Sequence, residues 1–407
     1  MSTPSLTSLA DALAVIRAQT KPLAVIKLPL SAALHSVLAE PVTTPDDIPA
    51  FARSAMDGYA VHENPDTNQL TYSIQGEVHT AESWETALDS GTCVRIATGA
   101  AVPDGTSRII PKELAKESAD RKQVTFESLP DSTFIRLQGE DAHAGETLLA
   151  AGDCIKAGDL SLLATLGITS PAVIAPPVIA HLATGDEIVA PEKAVKPGQI
   201  RDSNSILVRS FLQSHHLELR HQSRSPDHQS GISRWIDEQS AQSDVLLISG
   251  GASVGPRDYP PQVLEDAGFR CEFSRLNLRP GKPVFFGKRD DTYAFVLPGN
   301  PGSHLTVLRL LVLPLLQILC GRANELTKVS ATIHTRPAYT PNQRHTFLPG
   351  RLRHARNGYE VFLNRWSSSG DVVSLARANC LVEIPAGSGL ADSTTCIPLY
   401  ESAISEN

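Results

Sequence analysis

The run Ser249-Gly250-Gly251-Ala252-Ser253-Val254-Gly255-Pro256-Arg257-Asp258-Tyr259 constrains the fold more than any other stretch of the chain. It follows Asp244-Val245-Leu246-Leu247-Ile248, whose short apolar run reads as a buried strand. Glycine at 250, 251 and 255 and serine at 249 and 253 leave too little apolar surface to pack a core. Without Cβ obstruction, the backbone N–H groups of such a segment turn toward an anion. Asp258 adds a carboxylate just beyond. A strand ending in a Gly/Ser loop with an acid behind it is where open α/β sheets hold phosphorylated ligands and their metals.

The flanking sequence supports such a sheet. Residues 178–327 alternate strand and helix patterns, which predicts a mostly parallel sheet with helices on both faces. Val178-Ile179-Ala180-His181-Leu182 reads as a strand, and Ser203-Asn204-Ser205 as the cap of a helix carrying Ile206, Leu207, Phe211 and Leu212. A further helix is expected near Pro260-Pro261, strands at 283–287 and 293–297, and a long helix after Ser303. The apolar Leu305–Cys320 segment, interrupted by Arg309, Pro314 and Gln317, reads as a buried helix kinked or ended near Pro314 and too short to span a bilayer.

Outside that region the character changes. Leu6, Leu9, Leu13 and Ile16 have helical spacing, with Thr7 or Ser8 as the cap. Short β-like runs such as Tyr59-Ala60-Val61, Cys93-Val94-Arg95-Ile96 and Gln123-Val124-Thr125-Phe126 predict a β-rich insert over 48–138. Residues 139–176 are mixed and end in Pro176-Pro177, a credible boundary. Residues 329–407 return to short alternating runs, the pattern of a small β-barrel or sandwich.

At 407 residues the chain exceeds one ordinary core, so several domains are expected. The net charge of −8, with no basic stripe interleaved with aromatics, argues against a nucleic-acid surface. Six cysteines without a CxxC pair are expected to be reduced, buried and inert, and the histidines form no zinc signature. His215-His216 is expected at the surface. The polar start, without a charged n-region and apolar h-region, predicts a cytoplasmic protein with no membrane partner.

Three polar clusters are expected at strand ends on one edge of the sheet: Thr184-Gly185-Asp186-Glu187, the 249–258 loop, and Pro298-Gly299-Asn300-Pro301-Gly302-Ser303. Arg279-Pro280-Gly281-Lys282-Pro283 places a planar cation and a point cation beside them, a combination suited to an oxyanion. Asp57, Asp141, Glu187, Asp227 and Asp258 each lie in a Gly- or Pro-bearing turn. Turn chemistry and coordination of a hard cation are both open to these acids on spacing alone. GxxxxGK[ST] and GxGxxG are absent and no nucleophile–base pair stands out, so the residues point to metal-assisted chemistry on a phosphorylated substrate rather than to a protein nucleophile.

Taken together, these stretches resemble the molybdopterin molybdenumtransferase family (MoeA and the gephyrin E domain). The resemblance is carried by RSAMDGYAV (53–61), ATGAAVPDGT (97–106), GED (139–141), ATGDEIV (183–189), GQIRDSNS (198–205), SGGASVGPRDY (249–259), LRPGKP (278–283), LPGNPGS (297–303) and SLARAN (374–379). It implies a multidomain α/β plus β protein. A mixed N-terminal domain would comprise 1–47 and 139–176, with the β-rich domain inserted at 48–138. A central, mostly parallel molybdopterin-binding α/β domain at 177–328 and a C-terminal β-barrel at 329–407 would complete it.

The implied reaction inserts molybdate into adenylylated molybdopterin, releases AMP and is assisted by Mg²⁺. It takes place in a homodimer whose active site joins the α/β domain of one subunit to the insert of the other. Molybdopterin adenylyltransferase and molybdoenzyme-maturation proteins are the implied partners. By motif position, Asp57, Thr98, Asp141, Glu187, Asp227 and Asp258 are the implied catalytic residues, with Asp258 and Glu187 at the metal. Ser249, Gly250, Gly251, Ser253, Gly255, Pro298, Gly299, Asn300 and Pro301 would hold the pterin nucleotide, and Arg279, Lys282, Pro283 and Ser369 the molybdate. Arg275 and Arg279 stand where lysines are frequent in the family. Pro349 stands where some members use an arginine for molybdate, with Arg344 and Arg351 as the alternatives nearby. Two other activities fit parts of the pattern: adenylylation of molybdopterin on the same α/β fold, and a non-catalytic scaffold that binds molybdopterin or a partner enzyme.

Overall fold

The computed structural model describes residues 6–63, 69–252, 259–322, 326–335, 337, 339–356 and 358–400. Their chain divides into two compact units, one drawn from Met1–Ala39, Cys154–Lys156 and Ser170–Asn407, the other from Glu40–Asp153 and Ala157–Thr169.

At the centre of the first unit is a six-stranded sheet. Its order is Leu219–Ser225, Ile179–Thr184, Val245–Ser249, Thr292–Leu297, Pro283–Arg289 and Arg270–Arg275. The first four strands are parallel; the last two pair antiparallel. Central strands are covered on both faces, which is why they read as continuous apolar runs. Val245 and Leu247 join one core cluster while Leu246 and Ile248 join the other, the two-residue alternation of a strand buried on both sides.

The strands at 219–225 and 270–275 escaped the sequence reading because both are edges. Leu219-Arg220-His221-Gln222-Ser223-Arg224-Ser225 buries Leu219 alone, and polar side chains are what edge strands carry. The Ser203–Ser214 helix is capped by Asp202, whose Oδ1 accepts from the Ser205 N–H at 2.9 Å, rather than by the serines expected. Ser8 caps the Leu9–Gln19 helix as anticipated. His215 is buried against Phe211 and within 3.1 Å of the Leu399 carbonyl, so the surface expectation fails for it.

The helix after the Pro298 loop runs unbroken over Pro301–Leu319 and is mostly buried. It is long and apolar enough for a membrane span, but it packs in the core of this unit. Pro314 was expected to kink or end it. It does not end there: the helix continues through Pro314 to Leu319, and the Leu308–Val312 segment just before the proline is π-helical.

The strands Val329–Thr335, His345–Ala355, Gly358–Leu363, Cys380–Ile384 and Ser393–Pro398 close into a five-stranded barrel. Its closure settles the choice between barrel and sandwich. The two-residue strand Leu278–Arg279 pairs in parallel with His345 and Thr346, which pins Arg279 to the barrel rim. All six cysteines are free thiols, and burial pushes Cys93 up to about 12 and Cys320 to about 11.

The second unit is built on another six-stranded sheet, ordered Arg108–Pro111, Gly58–Val61, Thr92–Ile96, Thr71–Val78, Gln123–Phe126 and Ala115–Glu117. Glu117 collects the Arg95 Nε and the Tyr59 hydroxyl, each at 2.6 Å, and the Arg121 Nε at 3.1 Å. Arg95 first, then Tyr59 and Arg121, hold its carboxyl down at about 2. A folded-state pKa below the unfolded value of about 4.3 contributes stability that is present above that value and lost as pH falls toward 2. Thermal unfolding between pH 6 and 2.5 is therefore expected to lower the melting temperature of wild type more steeply than that of Glu117→Gln. Parallel pH curves would count against this role of Glu117.

Candidate active site

Three parallel strands end side by side at Thr184, Ser249 and Leu297. The strand at 179–184 is followed in the chain by an edge neighbour on one side, while the strand at 245–249 lies on its other side. Such a reversal of strand order opens a crevice beyond the carboxyl ends. A cavity of about 930 Å³ lies there.

The Ser249 end turns sharply. Gly250 has φ +103° and donates its N–H to the Leu297 carbonyl at 3.1 Å; Gly251 follows at φ +64°. A Cβ on Gly250 would lie 2.7 Å from the Thr184 carbonyl oxygen, so the two strand ends approach as closely as glycine allows. On the next strand, Pro298-Gly299-Asn300 leads into the long helix. Asn204 Nδ2 donates to the Gly299 carbonyl at 2.8 Å, and Asn300 Nδ2 to Ser369 Oγ at 2.9 Å. The Gly302 N–H bonds the Ser369 carbonyl at 2.8 Å, an approach that a side chain at 302 would block. The helices beginning at Ser203 and Pro301 thus both start at the cavity, and helix N-termini favour anions.

Among the described residues, four cations line the cavity, Arg201, Arg279, Lys282 and Arg344, against two carboxylates, Glu187 and Asp202. The Arg279 guanidinium lies 5.6 Å from the centre of the Trp366 ring, a cation–π contact that orients its planar fork. The Thr184 Oγ1 and Asn204 Oδ1 are buried at the cavity with no hydrogen-bond partner among the described residues. Buried polar atoms ordinarily find partners, so these two suit a ligand.

The cavity brings together most of the expected residues: Glu187, Ser249, Gly250, Gly251, Arg279, Lys282, Pro283, Pro298, Gly299, Asn300, Pro301 and Ser369. Ser253, Gly255 and Asp258 lie outside the described residues. Asp227 does not line this cavity; its N–H bonds Asp186 Oδ1 at 3.2 Å, and it borders a shallow pocket with Tyr259. Asp57, Thr98 and Asp141 belong to the second unit. There Thr98 donates both its N–H and its hydroxyl to Asp57 Oδ1 at 2.8 Å, and Lys112 Nζ lies 3.0 Å from Oδ2. The Thr98 N–H first, then Lys112, hold the Asp57 carboxyl well below the usual range. Asp141 is gripped by both oxygens on Arg136, at 2.5 and 2.6 Å.

Asp202, Asn204, Arg201 and Trp366 were not picked out individually. The signal for the first three was the GQIRDSNS stretch just before a helix. For Trp366 it was the aromatic that opens the Ser/Gly run containing Ser369. Of the two arginines near Pro349, Arg344 lines the cavity. Arg351 is exposed and is not among the lining residues, and Pro349 is buried in a barrel strand paired with Leu381.

This fold and cavity define an α/β domain whose crevice suits an anionic ligand, joined to a β-barrel. Family models match along the chain: the MoeA N-terminal region (domain I and II) at 7–167, a probable molybdopterin binding domain at 180–318, and the MoeA C-terminal region (domain IV) at 334–400. The molybdopterin molybdenumtransferase of Haemophilus influenzae is 35% identical over 296 residues, 72% of this chain and 73% of the relative. That of Staphylococcus aureus is 28% identical over 94% of this chain and 92% of its own. A crystal structure of the molybdopterin biosynthesis MoeA protein from Pyrococcus horikosii superposes with a TM-score of 0.80 at 27% identity, covering 97% of this chain and 99% of that one. The chain belongs to the molybdopterin molybdenumtransferase family, enzymes of molybdenum cofactor biosynthesis.

Proposed function

We propose that this enzyme inserts molybdate into adenylylated molybdopterin and releases AMP. The observation that supports the reading is the meeting, in one cavity, of the Gly250-Gly251 turn, two helix N-termini and the Arg279 and Lys282 cations. Backbone N–H groups at the turn and helix starts orient the phosphates, while the guanidinium and ammonium hold the oxyanion beside them. Cleaving a phosphate anhydride calls for positioning and charge neutralisation more than for a nucleophile, and the substrate brings its own dithiolene sulfurs.

Asp57, Thr98, Asp141, Glu187, Asp227 and Asp258 are proposed as the functional polar residues; Thr98 and Lys112 keep Asp57 ionised and oriented. Mg²⁺ takes one or two carboxylates together with phosphate oxygens; Glu187, which lines the cavity, is a carboxylate of that kind, and Asp258 is proposed as the second ligand. Bound there, Mg²⁺ would neutralise phosphate charge. The proposal extends to a cytoplasmic homodimer with the four domains bounded as above, and to adenylyltransferase and maturation proteins as partners.

Purified protein given adenylylated molybdopterin, Mg²⁺ and molybdate is expected to release AMP only when molybdate is present. Equal release without molybdate would reject molybdenum transfer. Sedimentation as a monomer at micromolar concentration would reject the dimer.

A further inference from the structure

We propose that His181 and His304, through the Ser249 hydroxyl between them, form a hydrogen-bond chain of fixed polarity that positions the loops of the pterin-nucleotide site. The positioning role rests on reading the cavity as that site. All three side chains are buried. His181 Nε2 lies 2.6 Å from Ser249 Oγ, which lies 3.4 Å from His304 Nε2, and His304 Nδ1 lies 3.0 Å from the Pro298 carbonyl.

The polarity follows from the two ends separately. At one end Arg209, which can only donate, bonds Gln222 Oε1 through Nε at 3.2 Å and Nη2 at 2.7 Å. The Gln222 amide nitrogen must then face the Ser205 carbonyl at 2.8 Å and His181 Nδ1 at 3.2 Å. His181 Nδ1 therefore accepts, and in a neutral ring Nε2–H donates to Ser249. At the other end the Pro298 carbonyl can only accept, so His304 carries its proton on Nδ1 and accepts at Nε2. The serine hydroxyl completes both halves by receiving from His181 and donating to His304. The two assignments agree without either being adjusted.

Burial pushes both imidazoles down, His181 to about 3 and His304 to about 4, so each stays neutral in this role. The charges facing the pair are Arg209 at His181 and Asp202 at His304. What the chain holds is the floor of the cavity. Ser249 begins the Gly250-Gly251 turn and Pro298 begins the loop to the long helix. Gln222 ties in the first turn of the helix whose Asn204 reaches Gly299. Both histidines are therefore positioning residues.

Gln222→Glu tests the polarity. It keeps the shape and the Arg209 contact but replaces the donor facing His181 and the Ser205 carbonyl with an acceptor. His181 must then protonate at Nδ1, the serine turns toward it, and His304 loses its donor. Histidine ¹⁵N spectra of the full chain are expected to show His181 as the Nε2–H tautomer and His304 as Nδ1–H, unchanged between pH 8 and 5. In Gln222→Glu His181 switches tautomer, and Kd and KM for adenylylated molybdopterin rise about tenfold with kcat changing less. His304→Asn, whose amide N–H can replace Nδ1–H toward Pro298, is expected to recover most of the affinity lost in His304→Leu.

Other tautomers in the wild type would overturn the chain. Unchanged Kd and KM in a folded Gln222→Glu that has switched tautomer would overturn the positioning role alone. A wild type with these tautomers that neither binds the nucleotide nor releases AMP would overturn the site reading, and the positioning role with it.

Discussion

Gly250→Ala is expected to reduce molybdate-dependent AMP release at least about 100-fold and to destabilise the first unit by about 2–4 kcal/mol. Two effects act together. The φ of +103° lies where L-residues are strained, and the added methyl would sit 2.7 Å from the Thr184 carbonyl oxygen and 3.1 Å from its Oγ1. Neither contact is the end of a flexible chain that can swing away; the nearer is backbone at the end of a packed parallel strand. Relief requires the strand ends at 184 and 249 to separate, and those ends are the walls of the cavity. Gly299→Ala makes the comparison for stability, because a Cβ there meets nothing within 4 Å and its φ is not positive. Thermal unfolding and AMP release on both variants check the prediction. A Gly250→Ala protein with wild-type melting and turnover would show that the turn is not constrained as its geometry requires.

The parts legible in the sequence were those whose local chemistry also fixes the tertiary answer. Val245–Ile248 is apolar throughout because its strand is covered on both faces, and Gly250 is glycine because a side chain does not fit that turn beside Thr184. Edge strands defeat the same reading, since Leu219–Ser225 carries mostly polar side chains and its pairing partner lies forty residues upstream. Pro314 misled as an end signal because proline normally interrupts a helix, whereas this helix continues past it, with a π-helical turn just before. The buried histidines were invisible for a different reason. His181 sits in an apolar run and His304 follows a helix start, and nothing local says that both rings meet Ser249, 68 and 55 residues away. Arg344 and Arg351 were both candidates in the sequence, and the choice needed the fold: the pairing of Leu278–Arg279 with His345–Thr346 brings Arg344 beside the Arg279 loop.

That pairing leads to the second large effect. Lys282→Ala is expected to raise the molybdate KM about 10–100-fold, the value of one charge-assisted contact to an oxyanion. Arg279→Ala adds the loss of the fork stacked on Trp366, and the double variant is expected to lose about 1,000-fold in kcat/KM for molybdate while Kd for the pterin nucleotide moves far less. Lys282→Arg keeps the charge but not the point-like geometry and should recover only part of the loss. The resemblance implies an arginine for molybdate at 349 in some members, where this chain has Pro349, and another cation is proposed for that role. Pro349 is buried in a barrel strand and Arg351 is exposed and not among the lining residues, whereas Arg344 lines the cavity and donates to the Leu278 carbonyl at 3.4 Å. Arg344→Ala should therefore raise the molybdate KM about tenfold, and Arg351→Ala should stay within about twofold of wild type. Steady-state titration of molybdate at saturating nucleotide separates them. The reverse ranking would mean that the oxyanion lies on the barrel face rather than between the Arg279 loop and the Trp366 segment.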